Sequence, residues 1–80
     1  MLSDEDITEI QNSLASALRA RREALKMSKN GLAQKAGISV QSVSFIEAAV
    51  NSPSISTFFR ICAALDTTPE KMFRQLRKNN

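Results

Sequence analysis

The sequence predicts an all-α fold of five helices in a single domain spanning residues 1–80, and three observations predict it. Apolar residues recur at spacings of three and four, the period of a helix face, rather than in the alternation of a strand. A Ser or Thr stands before each of five such runs, where its hydroxyl can take one of the orphan amides at a helix start. The apolar content is Leu, Ile and Ala with four Phe and no Trp or Tyr, which suits modest side chains packed between helices.

Ser3 followed by Asp4, Glu5 and Asp6 is a capping-box-like start, with carboxylates placed where the positive end of a helix favours them. The first helix is extended: Ile7, Ile10, Leu14, Leu18 and Leu25 form one apolar stripe that runs to about Met27, its first turns lying outside the core. Ser28 caps a short second helix, Lys29 to Ala36, with Leu32, Ala33 and Ala36 on one side. Gly37 is placed to adopt the left-handed conformation and reverse the chain. Ser39 caps a third helix in which Ile38, Val43 and Ile46 face inward while Val40, Gln41, Ser44 and Phe45 project from the other side. Asn51-Ser52-Pro53-Ser54 has loop composition, and Ser54 caps a fourth helix carrying Ile55, Phe58, Ile61, Cys62 and Leu65. Thr68-Pro69-Glu70 opens a fifth, with Pro at its first position.

A chain of 80 residues buries only about 60% of the surface its unfolded form exposes, so an added copy of the chain would help it. Eleven Lys and Arg against eight Asp and Glu give a formal charge of +3. Acid gathers at Asp4, Glu5, Asp6 and Glu9, and a basic body follows from Arg19 to Lys35, an asymmetry that suits a polyanion. The lone Cys62, set among Phe59, Ile61, Ala63 and Leu65, reads as core packing rather than a reactive thiol. With no His and one Cys, neither a zinc site nor any cofactor is expected. No apolar run approaches the ~18 residues that span a bilayer and no signal-peptide core is visible, so a cytoplasmic protein with no membrane partner is expected.

Two short helices joined by a glycine turn set the second at a steep angle to the first, so that it can enter a DNA major groove while the first spans the backbone. Small Ala33 falls where the helices cross, and Leu32, Ile38, Val43 and Ile46 seat the pair on the core. The series Leu32-Ala33-x-x-Ala36-Gly37-Ile38-Ser39-x-x-x-Val43-Ser44-x-Ile46-Glu47 resembles the Cro/repressor (XRE) family of transcriptional regulators. Leu18-Arg19 with Arg22, Pro53-Ser54-Ile55 and Ile61-Cys62-Ala63-Ala64-Leu65-Asp66 extend the likeness to about residues 14–76.

That resemblance implies a five-helix lambda-repressor-like bundle with the helix-turn-helix in helices 2 and 3. It also implies a structural pair between Arg22 and Glu47, the alternative being two solvated charges. Base readout would come from Val40, Gln41, Ser44 and Phe45. Gln41 can bond bidentately to adenine, and Val40 or Phe45 can meet a thymine methyl. Lys29, Asn30 and Ser39 would contact the DNA backbone, with Arg19, Lys35 and Asn51 as weaker candidates, since charges on a helix are often only its solvated face. The sequence departs from the family in that Ala36 to Phe59 contains no Lys or Arg. Ala49 also stands where relatives often have Gly.

Such regulators read two half-sites as dimers, so double-stranded DNA carrying an inverted repeat and a homodimer are the expected partners. Met72 and Leu76 are the expected dimer contacts, with Phe73 turned inward. The rival reading is a protein-interaction module, antitoxin-like or a co-regulator, that uses an exposed Val40 and Phe45 to hold a protein partner. An enzyme is not expected, because there is no His, Cys62 reads as buried, and no carboxylate pair carries a pocket signature.

Overall fold

The computed structural model describes residues 1–78, with five helices in chain order: α1 Asp4–Ala24, α2 Lys29–Ala36, α3 Val40–Glu47, α4 Ile55–Ala64 and α5 Pro69–Lys78. Each helix begins on a hydroxyl. Ser3, Ser28, Ser39 and Ser54 accept from the backbone amides of Asp6, Gly31, Ser42 and Thr57, and Thr68 accepts from Lys71. At Ser3 the box closes, because Asp6 accepts from the Ser3 amide in return. The Ser3 backbone amide, which contributes most, and the Ser3 hydroxyl hold the Asp6 carboxyl below its usual range.

The first four helices end alike. In each, a left-handed residue just past the helix donates its amide to a carbonyl three back, and the next residue donates to one five back. The left-handed residues are Lys26, Gly37, Ala49 and Asp66, with φ of 57°, 72°, 59° and 54°. Only Gly37 takes that conformation without a Cβ penalty. Lys26 ends α1 at Ala24 rather than near Met27, since a helix cannot pass through a left-handed residue. Arg21 ties two elements at such an end: its Nε donates to the Leu65 carbonyl at 2.9 Å and its Nη2 to the Asp66 carbonyl at 3.1 Å. This places positive charge on the negative terminus of α4.

The core forms where α2 packs on α3 and α4, and where α1 packs on α3 and α5. Leu18, Leu32, Val43, Ile61, Cys62, Leu65 and Met72 are its fully buried side chains. Burial raises the Cys62 thiol pKa, as expected for a sulfur with no polar neighbour to hold a thiolate. Several apolar residues stay outside. Ile7, Ile10 and Leu25 on the α1 stripe are exposed, and Ile55 and Phe59 lie on the outer side of α4. At α5 the expected arrangement is reversed. Met72 is fully enclosed by the chain's own core, so it presents nothing to a second copy, whereas Phe73 is 50% exposed. The Phe73 ring leans on Phe58, with centroids 5.4 Å apart. The reason is register: α5 packs on α1 and α4, and the line of contact falls on Met72 and the partly buried Leu76. Among the described residues no helix is long and apolar enough to cross a membrane.

Candidate nucleic-acid interface

The α2–α3 pair is built around its turn. Ala33 and Ala36 are buried where α2 meets its neighbours, small enough for close approach. At Gly37 the chain reverses, and Ile38 donates back to the Ala33 carbonyl at 3.0 Å. The Ser39 hydroxyl accepts from Ser42 and starts α3. Val43 and Ile46 turn inward, leaving Val40, Gln41 and Phe45 exposed and Ser44 half-buried.

The orientation of α3 is set by an ion pair in the interior. Arg22 Nε donates to Glu47 Oε2 at 2.6 Å and Nη2 donates to Oε1 at 3.0 Å, a bidentate pairing. The third guanidinium nitrogen donates to the Met27 carbonyl at 2.7 Å, at the turn that leads into α2. The side chains are only 9% and 4% exposed, so the pair is dry. The Glu47 bonds raise the Arg22 pKa above its already high value, outweighing desolvation. One guanidinium therefore holds α1, the approach to α2 and the end of α3 together.

Around this element the remaining candidate residues are distributed unevenly. Lys29 and Asn30, the first residues of α2, and Lys35 in its last turn are exposed. Ser39 is exposed at the head of α3, with its hydroxyl engaged by Ser42. Asn51 lines a shallow cleft of about 170 Å³ with Ser42, Ser54 and Thr57, between α3 and the start of α4. Arg19 lies on the outer surface of α1, engaged with Glu23 at 3.3 Å. Leu76 is partly buried at the far end of the molecule, on α5.

Two features escape a reading of the local sequence. Arg60, on α4, reaches back to the α2–α3 turn: a Cβ on Gly37 would stand 3.4 Å from its Nη1. It brings a cation to a motif whose own turn and third helix carry none, and no spacing rule links residues 37 and 60. Val50 and Ile55, 66% and 76% exposed, stand on either side of the α3–α4 loop and add to the apolar surface of Val40 and Phe45.

Comparison with known proteins agrees with this geometry. A helix-turn-helix family model matches residues 18–72. The solved structure of the clp gene regulator ClgR from Corynebacterium glutamicum is similar in fold, with a TM-score of 0.82 at 20% identity, over 88% of this chain and 74% of that one. No curated protein matches the sequence. With the family segment covering more than half of the chain and α2–α3 at its centre, the chain belongs to the helix-turn-helix family of DNA-binding transcriptional regulators, of the Cro/C1 (XRE) type.

Proposed function

We propose that residues 1–80 act as one domain, a cytoplasmic, non-enzymatic regulator that binds an inverted-repeat operator as a homodimer with α3 in the major groove. The observation that carries this reading is α3 itself, held rigidly from behind by the dry Arg22–Glu47 pair with Val40, Gln41 and Phe45 left exposed. Gln41 is assigned to an adenine edge, and Val40 and Phe45 to thymine methyls, with Ser44 at the groove edge. Lys29, Asn30, Ser39 and Asn51 position the backbone, with Lys35, Arg19 and Arg60 as added cations.

A second reading is favoured by one observation: Ala36 to Phe59 carries no cation while Val40, Phe45, Val50 and Ile55 are all exposed. Phosphate neutralisation supplies most non-specific affinity, so a recognition surface of this kind suits a protein partner as well as a base edge. Selection of bound sequences from a randomised duplex library at two salt concentrations separates the two. An enriched inverted repeat supports the regulator, and no enrichment at either salt supports the protein-interaction reading.

A further inference from the structure

The greater part of α1, Asp4 to Ala17, precedes the segment that matches the family. Within that added length Gln11 Nε2 donates to Ser52 Oγ at 2.7 Å, joining residues 41 positions apart in the chain. Beside the bond, Leu14 and Ala15 of α1 face Ile46, Ala49 and Pro53 across a crevice of only about 20 Å³, and Ala15 is buried. The α3–α4 loop thus rests on α1 through close packing and one polar tie. We infer that Gln11 is a positioning residue for DNA binding: through Ser52 it fixes the α3–α4 loop, so that the adjacent Asn51 is held in place for a phosphate. The inference rests on the backbone role given to Asn51 above.

The loop needs such a tie. It leaves α3 through Ala49 at φ 59°, a conformation its side chain resists. The amides of Val50 and Asn51 share a single acceptor, the Phe45 carbonyl, at 2.9 and 3.3 Å. A loop that must present a side chain to a fixed phosphate loses affinity for every other conformation it can enter, because binding then has to order it. α1 removes that freedom by gripping this part of the chain twice. Arg22 takes Glu47 at the end of α3, and Gln11, about 17 Å nearer the start of the helix, takes Ser52. The tie is also chemically suited to its place. An amide on a hydroxyl holds the loop without charge, whereas a carboxylate, the only charged group that residues 1–18 contain, would repel a phosphate there. Gln11 and Ser52 are both exposed, so the bond can be removed without opening the core.

The test is the affinity of the whole chain for a fluorescent duplex recovered by the selection above, read by anisotropy. Gln11→Ala is expected to raise the operator Kd about three- to tenfold, with helical content unchanged by circular dichroism. In an Asn51→Ala background the same change should alter Kd by less than about twofold, whereas a general loosening of the domain would weaken binding whether or not Asn51 is present. Without DNA, amide exchange at Val50 and Asn51 should quicken in Gln11→Ala. A Gln11→Ala Kd equal to that of the wild type, on an operator that Asn51→Ala weakens, overturns the positioning role and leaves the backbone role of Asn51 standing. An equal loss from Gln11→Ala with and without Asn51 overturns it as well. A selection that enriches nothing, or an operator that Asn51→Ala holds as tightly as the wild type, overturns the reading of Asn51 and this inference with it.

Discussion

Replacing Arg22 with Met removes one guanidinium and leaves three acceptors behind: both Glu47 carboxylate oxygens and the Met27 carbonyl. The Glu47 side chain is only 4% exposed, so water cannot stand in for the guanidinium. Removing one partner of a buried pair costs about 3–5 kcal/mol, because the remaining charge stays desolvated without compensation. An 80-residue domain has a total stability of about 4–12 kcal/mol, so the change consumes a large share of it and should lower Tm by about 12 °C or more. Urea unfolding followed by far-UV circular dichroism measures the loss. The double variant Arg22→Met with Glu47→Leu should recover most of it, since two apolar side chains of similar size need no charge compensation. A single variant that loses less than about 1 kcal/mol, or a double variant no more stable than the single, would refute the account of a dry, orienting pair.

Ala49→Gly should raise stability by about 0.5–1 kcal/mol, read from the urea midpoint, because the left-handed strain at φ 59° outweighs the extra freedom glycine gives the unfolded chain. On a selected operator, Gln41→Ala should relax preference at one or two base pairs, whereas Lys29→Ala should weaken binding to every sequence and flatten the salt slope by about one unit. Equal, sequence-blind losses from both would remove the role given to Gln41. Cys62 should react with a thiol reagent only at the rate of global opening, being fully buried with its pKa raised by desolvation; fast labelling of the native chain would contradict that packing. Ser3→Ala should fray the first turn of α1 without moving the main unfolding transition. In the wild type the same fraying should appear on acidification: Asp6, whose pKa is lowered by folding, contributes above the usual carboxylate range and loses its contribution as pH falls through its own pKa. Amide exchange at Asp6 and Ile7 reports both.

The features readable from the chain alone are those that depend on near neighbours along it. A serine or threonine hydroxyl takes an amide three residues on, so the five helix starts were legible; so was the turn at Gly37, because glycine alone enters the left-handed region without strain. The two faces of α3 were legible for the same reason, Val43 and Ile46 facing one way and Val40, Gln41 and Phe45 the other. The rest depends on how the helices pack. Lys26, Ala49 and Asp66 end their helices in a conformation their side chains resist, held there by packing and by contacts such as that of Arg21 with the end of α4. The inward turn of Met72 and outward turn of Phe73 depend on which side of α5 meets α1 and α4, and two adjacent apolar residues on a short helix leave that register open. Arg22 and Glu47 can be named from the chain, but the dryness that gives their pairing its energy exists only once α1, α2 and α3 have closed around them.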